Sequence, residues 1–215
     1  DWYKLTTGTS YANGAAIKTN GTLWTWGRNT FGGLGHNDRV DRSSPTQVGS
    51  DTDWSEVVTG KVTIALKTNG SLWAWGFSDN GSLGLNVAND EHRSSPVQVG
   101  SLTNWGTRIG YNTENGHMVK TDGTLWAWGQ GFYGAVGHNS NSKVSSPVQI
   151  GALTNWAYAA SSFNHTLAVK TDGTLWAWGK NDEGQIGVNA TGGRFSSPVQ
   201  VGSAIDWVLP FSSNG

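Results

Sequence analysis

The chain has 215 residues, 36% of them hydrophobic, with 14 Lys and Arg against 15 Asp and Glu, and no Cys. That apolar share supports a cored domain rather than disorder, and the balanced charge with no long run of one sign excludes a general nucleic-acid or anionic-membrane binder, which needs a concentrated basic face. Without Cys there is no disulfide, thiolate metal site or thiol nucleophile, and 31 Gly beside 13 Trp suit short strands and tight turns better than helices.

The first residues, Asp1-Trp2-Tyr3, carry neither an initiator Met nor a signal-peptide pattern, so the start reads as processed or excised. No stretch approaches the roughly 20 apolar residues that span a bilayer, and membrane insertion is not expected. An extracellular or virion setting is slightly favoured over a cytoplasmic one.

From Trp2 onward the chain repeats. A Trp recurs at Trp2, Trp54, Trp105, Trp156 and Trp207, a Trp-x-Trp-Gly motif starts at Trp24, Trp73, Trp126 and Trp176, and the prolines Pro45, Pro96, Pro147 and Pro198 stand 51 residues apart. Such a period is the signature of a repeat architecture. The copies run from about 1 to 50, 51 to 101, 102 to 152 and 153 to 203, and 204 to 215 begin a fifth.

Within the second copy, Trp54 to Thr59 predicts a first strand and Thr63 to Thr68 a second. Asn69-Gly70 predicts a two-residue hairpin with positive φ at both positions, matched by Asn20-Gly21, Asp122-Gly123 and Asp172-Gly173. Ser71 to Gly76 is the third strand, Phe77 to Gly81 a loop, and Leu83-Gly84 the start of a short fourth strand. The chain then returns through Ser95 to Gly100. In the third strand, Trp73 and Trp75 point to one face, Leu72 and Ala74 to the other. A sheet apolar on both faces must be sandwiched between two others. The reading is therefore all-β: a β-propeller of four tandem four-stranded blades, the large Trp face of one meeting the small Leu/Ala face of the next. The core is expected to hold Trp24, Trp26, Trp73, Trp75, Trp126, Trp128, Trp176 and Trp178, together with the recurring first-strand Trp residues.

The run Leu167 to Gly187, Leu-Ala-Val-Lys-Thr-Asp-Gly-Thr-Leu-Trp-Ala-Trp-Gly-Lys-Asn-Asp-Glu-Gly-Gln-Ile-Gly, resembles the regulator of chromosome condensation repeat in its bacterial and phage form. The resemblance covers the whole chain. It implies a ring of about seven blades, of which four are here, so a longer parent chain or self-association is expected. Pro210 departs from the repeat at a strand position, which marks the fifth unit as irregular. The family hosts a GTPase exchange factor, a light sensor using clustered Trp, and β-lactamase inhibitors. No functional residue of these carries over to this chain.

The repeat-locked Trp residues read as packing, not as a photoreceptor. His36, His92, His117, His138 and His165 are scattered without a metal motif, and the glycine clusters and Ser-Ser-Pro triplets recur in every copy and so serve the scaffold. No catalytic, cofactor-binding or metal site is expected. Positions that differ between copies are those the scaffold does not dictate. Tyr11, Phe31, Tyr111, Phe132, Tyr133 and Phe163 fall in the loops between strands one and two and between strands three and four, which leave a blade on the same side. These six form the expected partner-binding set. The returns carrying Arg39, Asp41, Arg42, Asp90, Glu91, His92, Arg93, Lys143 and Arg194 are expected on the opposite, solvated side. The function read from this is a non-enzymatic module for a protein or carbohydrate partner, as a virion or cell-surface component. The alternative is an intracellular regulator, exchange-factor-like or an inhibitor, acting on one protein.

Overall fold

The computed structural model describes residues 1–8, 11–112 and 114–207. Each copy folds into one antiparallel four-stranded sheet in simple meander order. Blade 1 holds β1 (Trp2–Thr7), β2 (Asn13–Lys18), β3 (Leu23–Gly27) and β4 (Arg42–Gln47). Blade 2 holds β5 (Trp54–Val58), β6 (Val62–Lys67), β7 (Leu72–Gly76) and β8 (Arg93–Gln98). Blade 3 holds β9 (Gly110–Tyr111), β10 (Asn115–Val119), β11 (Leu125–Gly129) and β12 (Val144–Gln149). Blade 4 holds β13 (Trp156–Ser161), β14 (His165–Lys170), β15 (Leu175–Lys180) and β16 (Arg194–Gln200).

The expected sandwiching occurs at each of the three junctions. Leu23, Ile17 and Ala15 of blade 1 meet Trp54 and Trp75 of blade 2. Leu72, Ile64 and Leu66 of blade 2 meet Trp105 and Trp128 of blade 3, and Leu125 and Val136 of blade 3 meet Trp156 and Trp178 of blade 4. Each junction is pinned by an indole N–H donated back into the preceding blade: Trp75 to the Gly33 carbonyl, Trp128 to that of Ser82, Trp178 to that of Ala135, at 2.9 to 3.1 Å. The innermost strands of all four blades line one axial cleft of about 130 Å³, through Thr6, Val58, Ile109 and Ala160 among others.

The Trp residues divide by position. Trp75, Trp128 and Trp178 are fully buried, whereas Trp26 at the same place in blade 1 is only partly so, because among the described residues no blade packs in front of it. Leu167 and Leu175 on the far face of blade 4 are likewise only partly buried, and Trp2 and Trp207 are 46% and 45% exposed. The expectation of a uniform Trp core is thus corrected at the two outer faces. The first Trp of each motif, Trp24, Trp73, Trp126 or Trp176, is partly buried and donates to the Thr or Ser hydroxyl two residues before it at 2.9 Å.

Two local expectations are also corrected. The fourth strand is the Ser-Ser-Pro segment, with Gln98 opposite Trp73 and Val97 opposite Ala74. Leu83 instead plugs the blade from within the loop. Proline is tolerated there because the strand is outermost, and Pro96 sits where the register shifts. At the β6–β7 turn only Gly70 has positive φ, +77°, with its N–H bonded to the Lys67 carbonyl and Lys67 N–H to that of Ser71. This is a type I turn closed by a glycine bulge. Any Cβ at Gly70 would stand 2.2 Å from the Thr103 carbonyl oxygen, so the next linker also demands glycine. Pro210 lies outside the described residues.

Candidate functional site

Asn13 pairs with Gly27 and Gly27 with Arg42, which puts the β1–β2 loop and the whole β3–β4 connection at one end of the blade. The other blades follow. Because the fourth strand comes late, Arg39, Asp90, His92 and Lys143 belong to the same connection as Phe31, Phe77 and Phe132. The charged returns therefore share the aromatic face rather than the opposite one, and the reason is the misplaced fourth strand.

On that face the six expected residues fall into distinct settings. Tyr11 packs on Phe31 at 5.8 Å between ring centroids, and Phe31 on Phe77 at 4.7 Å and on His92 at 5.0 Å, bridging blades 1 and 2. Arg28 lies over Tyr11 at 4.8 Å, and Lys61 over Phe77 at 5.4 Å. Burial holds His92 below the usual histidine range, helped by the Arg39 charge and opposed by Asp90 and Asp79. Tyr111 packs against the core between blades 2 and 3 and donates its hydroxyl to the Ser82 carbonyl at 3.3 Å. Burial pushes that hydroxyl well above its ordinary value, and it also raises the neighbouring Glu114, with Asp79 adding repulsion and Lys61 opposing.

Phe132 and Phe163 are 59% and 49% exposed. Tyr133 has φ of +59°, and among the described residues it is the one positive-φ residue that is neither Gly, Asn nor Asp. A bulky side chain in that region costs roughly 1 kcal/mol or more, and such strain concentrates at functional positions. Its ring lies under Arg194 at 4.7 Å and Lys180 at 5.5 Å. Phe132 and Tyr133 together thus present an exposed aromatic edge and a cation-capped ring on one strained turn. Such a surface can anchor a partner's apolar side chain beside an acidic one.

A repeated motif that sequence reasoning passed over lies at the hairpin end. Lys18, Lys67, Lys120 and Lys170 each lie over the rings of the first-strand Trp and of the first motif Trp, as Lys120 does over Trp105 and Trp126 at 4.8 and 3.4 Å. Its signal was a Lys two residues before the Asn/Asp of every turn. The linker sets the direction in which its pKa moves. Asp51 and Asp53 hold Lys67 above its usual value despite burial, whereas burial lowers Lys120 and Lys170, whose linkers carry Leu-Thr-Asn. No group of three or more His, Cys, Asp or Glu able to hold a metal occurs among the described residues.

Against known proteins, the regulator of chromosome condensation (RCC1) repeat model matches residues 20–62, 69–109 and 122–169, and a second model of that repeat matches 159–185. The chain is 30% identical over 153 residues to the E3 ubiquitin-protein ligase HERC2 of Mus musculus, and equally to that of Homo sapiens. The match covers 66% of this chain and only 3% of those relatives. Among solved structures, Prp20p from Saccharomyces cerevisiae superposes with a TM-score of 0.81 at 17% identity over 94% of this chain and 51% of that one. Human WBSCR16 gives 0.79 at 17% identity, over 93% and 51%. Yeast RCC1 (Prp20) bound to Kap60 gives 0.76 at 22%, over 98% and 50%. These likenesses carry the fold: blades of an RCC1-type propeller.

Proposed function

The chain belongs to the regulator of chromosome condensation repeat family, and from that premise we propose that it is a non-enzymatic protein-binding module, acting as a regulator on one protein partner through its loop face. The observation carrying this is the strained, cation-capped Tyr133 beside the exposed Phe132. Its similar structures support a protein as the partner class: Prp20p is described with its binding to Gsp1p and histones, and yeast RCC1 in complex with Kap60. The reading is taken at the level of a protein partner, the class those similar structures support. Rigid aromatics lose little side-chain entropy on binding and bury large areas, which lets a few of them dominate an interface.

The test is the double variant Phe132→Ser with Tyr133→Asn, Asn being the residue that blade 2 holds in the same turn with φ of +49° at Asn80. A protein that crosslinks to the loop face of the parent chain should bind the variant at least tenfold more weakly, while the melting temperature stays within about 3 °C. Undiminished binding by the variant, or crosslinks confined to the hairpin end, would overturn the reading.

A further inference from the structure

The connection between the third and fourth strands of a blade opens with a backbone N–H that needs an acceptor, and the blades supply different ones. In blade 1 the buried Asn29 donates its N–H to Asp41 Oδ1 at 2.7 Å, and in blade 4 Asn181 donates to the Gly193 carbonyl at 3.2 Å. In blade 2 the equivalent donor is the buried Ser78, and its acceptor is His92 Nδ1 at 3.0 Å. Asp41 and His92 stand at the same place, immediately before Arg42 and Arg93. These acceptors differ in one chemical respect. A carbonyl or carboxyl group keeps an acceptor oxygen at any pH, whereas an imidazole that takes up a further proton has only donors. Because Nδ1 accepts, Nε2 carries the ring proton in the neutral form, and acid must place the next proton on Nδ1, directly against the Ser78 N–H.

His92 also closes the seam between blades 1 and 2. Its ring, that of Phe31 in blade 1 and that of Phe77 each touch the other two, with centroids 4.7 to 5.1 Å apart. Ser78 ties the two limbs of its connection together as well, accepting from the Asp90 N–H at 2.7 Å and donating its hydroxyl to the Ala88 carbonyl at 2.9 Å. The charged groups around the ring come from both blades. Burial is the largest influence and disfavours the imidazolium, Arg39 of blade 1 adds to it, and Asp90 and Asp79 oppose, with the pKa left below the usual histidine value. Lys61 stands over Phe77, Arg28 over the Tyr11 ring that packs on Phe31, and Glu91 is held by Arg93. Since Ser78 is buried, its N–H cannot replace a lost acceptor with water while the connection stays closed.

We propose that His92 is an acid-released latch: protonation at Nδ1 breaks the Ser78 bond, frees the limb 88–92 from Ser78 and loosens the contact of Phe31 with Phe77, so that the loop face of blades 1 and 2 is closed at neutral pH and open in mild acid. The latch stands apart from the partner reading at Phe132 and Tyr133, and its test involves no partner. The isotope-labelled full chain is followed by NMR from about pH 7.5 to about pH 4.5. His92 should titrate from the Nε2–H tautomer. As it does, the protection of the Ser78 amide, taken relative to its intrinsic exchange rate, should fall at least tenfold, ring NOEs between Phe31 and Phe77 should weaken, and the protection of Asn29 should hold. His92→Asn keeps a side-chain oxygen where blade 1 has Asp41 and removes the titration, so its Ser78 protection should stay level with pH. A His92 that carries its proton on Nδ1 at about pH 7.5, Ser78 protection unchanged through the His92 titration, or an equal loss of protection in a folded His92→Asn would overturn the proposal.

Discussion

Trp26 and Trp128 occupy the same place in their copies and differ in one respect, the presence of a blade in front of them. Trp128 is fully buried among Leu72, Ile64, Met118 and Leu83, and its indole N–H holds the Ser82 carbonyl at 3.1 Å. Gly116 lies beneath the ring so closely that a Cβ there would be 2.2 Å from it, which leaves the surrounding backbone little room to collapse. Trp128→Ala should therefore carry the full transfer and cavity cost of about 3 to 5 kcal/mol, while the Ser82 carbonyl keeps the Tyr111 hydroxyl as a donor. Trp26→Ala removes a ring that is partly in water already, and the cost should stay below about 2 kcal/mol. Urea unfolding followed by far-UV circular dichroism measures both, and amide exchange in β7 and β11 locates the loss at the junction of blades 2 and 3. Equal destabilisation by the two substitutions would refute the claim that the preceding blade, and not the motif itself, creates the burial.

His117 is neutral in the fold: burial lowers its pKa from 6.5 to about 4, partly offset by the carbonyls of Val136 and Ala135. The unfolded chain takes up a proton below about pH 6.5 that the folded chain refuses until about pH 4, so stability present above pH 6.5 is lost as pH falls toward 4, by roughly 3 kcal/mol. His117→Leu should flatten that part of the pH–stability curve, and a variant curve parallel to the parent's would contradict the burial argument. The Trp face of blade 1 and the Leu face of blade 4 are chemically the two halves of every internal junction, so the 215-residue chain by itself should associate head to tail. Sedimentation of Leu175→Glu against the parent tests this, with a parent that is monomeric at all concentrations as the refuting result.

The period made the blades legible because each carries the same Leu-Trp-x-Trp-Gly strand, and alternation in that strand assigns both faces without any coordinates. The same period multiplied one mistake by four. Reading Ser-Ser-Pro as a return treats proline as a strand breaker, but the outermost strand of a blade has a free edge where a missing N–H costs nothing. From that slip followed the wrong side for Arg39, Asp90 and His92. The hairpin turns were located correctly and misassigned in type, since a single glycine in the left-handed region with a bulge uses the same Asn-Gly or Asp-Gly pair as a two-residue turn.

What no period can reveal is a difference in surroundings between identical letters. Trp26 and Trp75 read alike, yet only one is covered, because burial of a blade face belongs to the neighbour and not to the blade. The loop aromatics show the same limit in reverse. Tyr11, Phe31 and Tyr111 vary between copies, yet Phe31 and Tyr111 pack against Phe77, His92 and Ser82 of the adjacent blade, and Tyr11 packs on Phe31. Variation alone therefore marks where blades adjust to each other as well as where they meet a partner. Backbone cost separates the two. Tyr133 also meets the adjacent blade, its ring lying under Lys180 and Arg194 of blade 4, but it keeps a left-handed backbone that Phe31, at the same place in blade 1, does without. The backbone strain at Tyr133 beside the exposed Phe132 is thus what the proposed partner recognition rests on.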